Sequence, residues 1–209
     1  MTNGLWDDLS MPARRLVLAS ASSARLRQLT MAGFAPDVVV SGVDEDGLDH
    51  LPTVEQARLL AIRKADAVAT LPSVTGAIVV GCDSLLALDD NSLGKPASAE
   101  DATLRWKAMR GRAGVLTTGH CVIDTASGRR AEGVAETVVR FGTPSDAEIA
   151  AYVATGEPLH VAGAFTLDGI SAPFIDGVDG DPGAVIGLSL PLFRRLLGDI
   201  GVSVVDLWA

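Results

Sequence analysis

Ala77-Ile78-Val79-Val80-Gly81-Cys82-Asp83 is the strongest strand signal in the chain, and it ends on a carboxylate. A short apolar run rich in β-branched residues predicts a buried strand over 77–83. A buried carboxylate is costly unless it is paired or holds a metal. In α/β folds, ligands collect at the carboxyl ends of strands. Asp83 is therefore a candidate site residue. The alternative is an aspartate that only starts a turn before Ser84.

Upstream of this run, Arg15–Ser20 (RLVLAS) predicts another buried strand, and 37–41 (DVVVS) a third. Between them, Ser22 or Ser23 caps a helix through ARLRQLTMA that Gly33 stops. Thr53 and Gln56 have the spacing of a capping box, predicting a helix from Thr53 to about Thr70. Downstream, Ser98 opens a helix to about Met109. Residues 115–124 and 132–141 read as a hairpin around SGRR. Ser145 and Glu148 form a further capping box, with the helix ending at Gly156. AFTLDG predicts a short strand, 176–184 a loop rich in Gly, Pro and Asp, 191–200 a helix and 202–207 a last strand. Helices and strands interleave around a central hairpin, which predicts an α/β fold with a mixed sheet. Residues 1–13 are expected to be a loose leader, with 14–209 as one domain.

Composition excludes several classes. The chain has 209 residues, 48% hydrophobic and 21% charged, enough for a sizeable core and unlike a disordered chain. Its net charge of -9 and 4% aromatic content oppose a nucleic-acid partner, which favours basic faces and stacking rings. An anionic substrate would need local cations or a divalent metal. Cys82 and Cys121 form no CxxC and read as buried thiols of a reducing compartment. MTNGLWDDLSMPARR lacks the apolar core of a signal peptide, and no apolar run reaches membrane-spanning length. The expectation is a cytoplasmic protein with no membrane partner.

Further residues could carry chemistry. Ser20, Ser22 and Arg25 lie at a strand-to-helix junction, where free N–H groups attract anions; ordinary capping is the alternative. Asp44, Glu45 and Asp46 leave a strand end as an oxygen-rich cluster suited to a hard cation, or as a solvated acidic loop. Lys64 and Lys95, the latter in Gly94-Lys95-Pro96, could meet phosphates or be surface lysines. No Walker A pattern is present. His50, His120 and His160 show no metal-binding spacing, and His120 reads as packed in a strand.

Taken in order, these segments resemble the Maf family of nucleotide pyrophosphatases: LASASSAR (18–25), the acidic pair Asp44 and Glu45, Lys64, GCDS (81–84), GKP (94–96), RGR (110–112), YVATGEP (152–158), AGAF (162–165) and GDPGAVIGLSL (180–190). The resemblance covers about Arg15 to Trp208. It implies a mixed twisted sheet with flanking helices in two lobes around a cleft, similar to the inosine triphosphate pyrophosphatases, and a homodimer. It implies hydrolysis of the α–β phosphoanhydride of a nucleoside triphosphate, with Mg2+ or Mn2+ held by Glu45 and Asp83. Asp83 would be the proton acceptor. Arg25, Lys64 and Lys95 would hold the triphosphate with Ser20, Ser22 and Ser84, and Asp168 would lie near the base. Two departures bear on substrate. The family's SPRR is SSAR here, leaving Arg25 alone. Asp168 stands where the thymidine/uridine branch has Gln, and Leu159-His160-Val161-Ala162-Gly163 is similar to the branch acting on 7-methyl-GTP. A broad or purine-tolerant pocket follows as the expectation. A nucleotide-binding regulator of septum formation with little turnover is the alternative reading.

Overall fold

The computed structural model describes residues 14–89 and 91–209; the expected leader, 1–13, lies outside them. Among the described residues, seven strands form one sheet: β1 (Leu16–Leu18), β2 (Asp37–Val38), β3 (Ile78–Leu88), β4 (Asn91–Leu93), β5 (Ala113–Asp124), β6 (Arg130–Phe141) and β7 (Ile175–Asp179). The order is β2-β1-β3-β5-β6-β7, with β4 folded back on β3. β1 runs parallel to β2 and β3, whereas β3, β5, β6 and β7 are antiparallel neighbours. The mixed sheet matches the sequence reading.

The helices are α1 (Ser23–Met31), α2 (Thr53–Ala69), α3 (Ala99–Met109), α4 (Asp146–Ala154), α5 (Pro182–Ile186) and α6 (Leu190–Asp199). Ser22 and Ser98 cap α1 and α3, and Ser145 with Glu148 closes a full capping box on α4. The box expected at Thr53 does not form. Pro52 is the cap residue, Thr53 pairs with Ser92, and the Gln56 amide donates to Leu51 and Ser92. The β3–β4 hairpin competes for those side chains.

Four other expectations fail. The strand expected to end at Asp83 runs on to Leu88, because β5 keeps pairing with it, so Asp83 lies in mid-strand. AFTLDG is no strand: 162–164 is a 3-10 turn in which Gly163 takes φ +67°, and bends follow. The supposed loop 176–184 contains most of β7 and the start of α5, because β6 offers a free edge that β7 pairs with. Residues 204–207 form a 3-10 turn where a last strand was expected; one bridge, Phe34 to Trp208, ties this end down.

Two features position the functional residues. The first is a close approach. A Cβ built on Gly81 would sit 2.5 Å from the Ala61 carbonyl oxygen, and one on Gly119 would sit 2.2 Å from that of Ala57. Helix α2 thus rests directly on the backbone of β3 and β5, with no side chain between. The second is a polar band on the opposite face of the sheet. Val80, Cys82 and Val122 belong to a core with α1 and α6, whereas Leu86, Leu88 and Leu116 belong to another with α3 and α4. Ser84, Thr118 and His120 lie between the two.

Gly119→Ala should lower unfolding free energy by about 1–3 kcal/mol through overpacking. Gly198→Ala is the opposite case: this glycine lies within α6 with nothing within 4 Å of the added carbon, so stability should rise by up to about 1 kcal/mol. Urea titration of both variants checks the contrast; equal effects would contradict the close approach.

Candidate active site

The site opens where β1 stops. Its pairing with β3 ends at Leu18–Val80, yet β3 continues to Leu88, and β4 covers that edge only from Leu86. Asp83 and Ser84 fall in the uncovered stretch. Because strand side chains alternate, they project to opposite faces, and each face brings its own partners.

On one face, Arg25 is buried and firmly held. Its Nε donates to the Gly187 carbonyl at 2.8 Å, Nη1 to Ser20 Oγ at 3.1 Å and Nη2 to Ser84 Oγ at 3.0 Å. Three of the five guanidinium hydrogens are engaged, leaving one on each terminal nitrogen. Ser20 Oγ also accepts from the Ser22 N–H at 3.1 Å, and Ser22 Oγ accepts from the Arg25 N–H at 3.3 Å. Both serines act there as acceptors, so their own hydroxyl hydrogens stay available. The α1 N-terminus is thereby a cradle of donors suited to a phosphate.

On the other face, Lys64 reaches from α2 to two carboxylates. Its Nζ lies 2.5 Å from Asp83 Oδ1 and 2.7 Å from Glu45 Oε1. Asp83 and Lys64 are almost wholly buried, whereas Glu45 is 57% exposed at its side chain. Burial pushes the Asp83 carboxyl above its ordinary range, against the pull of the Lys64 and Arg25 charges. Glu45 and Asp83 converge on the Lys64 ammonium, and no group of three or more His, Cys, Asp or Glu forms a metal cage among the described residues. Two hard oxygens fit magnesium, which keeps several waters and takes further oxygens from phosphates.

The remaining predicted residues form no hydrogen bond or ion pair with Arg25, Lys64, Asp83 or Glu45 among the described residues. Lys95 is exposed, with no ion-pair partner among the described residues. Asp168 is 2.9 Å from Arg27 Nη2, a residue of α1 that the sequence reading passed over. Asp44 and Asp46 are exposed, and their carbonyls face Arg63. The cysteines are buried, with Cys82 pushed up to about 12 and Cys121 to about 11 by that burial, so neither supplies a thiolate. Thr118 was also missed. Its Oγ1 lies 2.8 Å from Ser84 Oγ and 2.8 Å from the Ala184 carbonyl. Threonine is an ordinary strand former, so nothing in the pattern marked it.

The Maf-like protein family matches residues 15–200 of this chain. A protein of Streptomyces coelicolor (strain ATCC BAA-471 / A3(2) / M145) is 67% identical over 198 residues, 95% of this chain and 96% of its own length. One from Salinispora tropica is 54% identical, covering 96% and 89%, and one from Mycobacterium sp. (strain JLS) is 52% identical, covering 93% and 98%. All three are named nucleoside triphosphate pyrophosphatase.

His120, beneath this centre, is packed as its sequence context predicted. The Ser189 N–H donates to Nε2 at 2.9 Å, so Nδ1 carries the hydrogen and donates to the Thr118 carbonyl at 3.0 Å. Burial, helped by Arg25, lowers its pKa from 6.5 to about 4. Above pH 6.5 it is neutral folded or unfolded. As pH falls from 6.5 to about 4, the unfolded chain binds a proton that the folded one refuses, so stability is lost. The loss should be on the order of 3 kcal/mol. Unfolding midpoints across this range should show that slope in wild type and a shallower one in His120→Gln; identical slopes would contradict the assignment.

Proposed function

We propose the following chemistry on the premise that this chain belongs to the Maf-like protein family, as the match over residues 15–200 shows. It is a nucleoside triphosphate pyrophosphatase, a hydrolase acting on an acid anhydride, as its relatives at 52–67% identity are named. The observation that carries the mechanism is the buried Lys64–Asp83 pair, with the exposed Glu45 beside it, set on the opposite face of β3 from the Arg25 cradle.

Phosphoryl transfer depends mostly on positioning and charge neutralisation. Arg25, with its two remaining N–H groups, and the Ser20 and Ser22 hydroxyls receive the triphosphate oxygens. Lys95 approaches from its exposed loop and closes on the chain of phosphates. Lys64 holds Asp83 through Oδ1, leaving Oδ2 toward the water. That water attacks the α-phosphorus and gives its proton to Asp83, the bond from the α-phosphorus to the bridging oxygen breaks, and pyrophosphate leaves with the bridging oxygen. The raised pKa of Asp83 makes it a better proton acceptor than an exposed aspartate. Glu45 and Asp83 would hold Mg2+ or Mn2+, which supplies Lewis acidity and water activation when bound.

Asp168 reads the base. Arg27 engages Oδ2, and Oδ1 remains to accept from the N1–H or amino group of guanine. The pocket is therefore purine-tolerant. Among the described residues no helix is long and apolar enough to cross a membrane, and two buried free thiols suit a reducing cytoplasm.

A panel of triphosphates with magnesium or manganese tests the reading. Wild type should release pyrophosphate and monophosphate, and Asp83→Asn should lose about 10²–10⁴-fold in rate. Orthophosphate as product, or tight binding without turnover, would overturn the mechanism. Turnover of dTTP and UTP far above every purine triphosphate would overturn the pocket assignment alone.

A further inference from the structure

The hydrogen bonds around Ser84 have only one consistent direction. The Arg25 guanidinium can only donate, so Ser84 Oγ accepts from Nη2. The Ala184 carbonyl can only accept, so Thr118 Oγ1 gives it its single hydrogen. The remaining contact, 2.8 Å between Ser84 Oγ and Thr118 Oγ1, must then use the Ser84 hydrogen. The chain runs from Arg25 to Ser84 to Thr118 to Ala184, and every hydroxyl hydrogen in it is engaged.

We propose that Thr118 is a positioning residue for the pyrophosphatase reaction, holding Arg25 in its phosphate-binding orientation through Ser84. This rests on the phosphate role given to Arg25 above. It also changes the role of Ser84. With its hydrogen turned toward Thr118, Ser84 serves the guanidinium as acceptor and is not a hydrogen-bond donor to substrate. Ser20 and Ser22 differ, because they accept from N–H groups and keep their hydrogens for the phosphate.

Several features make Thr118 the fixed end of the relay. It is fully buried. It stands on β5, opposite Ser84 in the ladder, so the two side chains share one face. Its acceptor is fixed as well. The short α5 turns at Gly187, where the Gly187 and Leu188 N–H groups both go to the Gly183 carbonyl, while the Ala184 carbonyl takes the threonine hydroxyl. The same segment supplies the Gly187 carbonyl to Arg25 Nε. The relay and the direct bond thus grip the guanidinium from two sides. Removing the relay frees Ser84 to rotate and leaves Arg25 a softer mount.

The test compares Thr118→Val, which keeps the shape and removes the hydroxyl, with Thr118→Ser, which keeps the hydroxyl. Thr118→Val should lose roughly 10- to 100-fold in kcat/KM for a nucleoside triphosphate, as expected for a displaced positioning group. Thr118→Ser should retain most of the activity. Ser84→Ala with Thr118→Val should lose no more than the worse single variant, because both break one chain. A merely structural threonine would lower the melting temperature without this split between valine and serine, or would give additive losses; either result overturns the proposal. Calorimetric binding of inorganic tripolyphosphate supplies a readout that needs no turnover. Wild type should bind it about 10-fold more tightly than Thr118→Val. Equal affinity, or no binding to wild type, also overturns the relay. Failure of wild type to release pyrophosphate would instead overturn the mechanism proposed above, with the tripolyphosphate comparison still deciding the role of Thr118.

Discussion

Burying an ammonium against a carboxylate costs several kcal/mol of hydration for each ion, and the attraction offsets it only when geometry is held closely. Lys64 and Asp83 meet this condition because α2 cannot stand off from the sheet. Gly81 lies two residues before Asp83 on the same face, and the α2 backbone at Ala61 and Ala65 sits directly against it. Lys64 follows within the same turn of helix. The distance between the ions is thus set by backbone packed on backbone, and the raised pKa of Asp83 arises from the burial that this packing enforces.

The opposite face solves a different problem. A continuous apolar core there would leave no route for a charged substrate into the middle of the sheet. Instead the core is divided, and the interval is filled by Ser84, Thr118, His120 and the Arg25 side chain. Each of these groups has a protein partner, so the band does not carry the penalty of unsatisfied burial. His120 stays neutral, adding no positive charge beside Arg25.

Much of the architecture was legible because local signals agreed with the global fold. The apolar run of β1, the start of β3, the alternating hairpin of β5 and β6, and the serine caps of α1, α3 and α4 all read correctly. The misreadings occur where tertiary contacts outweigh local preference. β7, Ile175-Asp176-Gly177-Val178-Asp179, has poor strand composition and is a strand only because β6 offers an edge. Residues 204–207 are apolar enough for a strand, but no neighbouring strand takes their backbone bonds in a ladder. In the site, the ordered motifs indicated Asp83, Lys64, Glu45 and Arg25. Thr118 and Arg27 stayed hidden because their significance lies in partners 34 and 141 residues away. No local pattern encodes such a separation.

The two cations expected at the phosphates, Arg25 and Lys95, differ in when their disorder is removed. Arg25 is already held at three nitrogens, so its loss of rotamer freedom, about 2 kcal/mol for so long a side chain, is incurred on folding. Lys95 is exposed on its loop and would give up that freedom only as substrate arrives. The rigid partner would contribute shape selection, since two fixed N–H groups accept only a ligand whose oxygens match their spacing. The loose one would contribute reach, its attraction acting before the ligand is seated. With Arg25 and Lys95 in the proposed roles, an anion approaching this acidic protein would be drawn by one cation and sorted by the other.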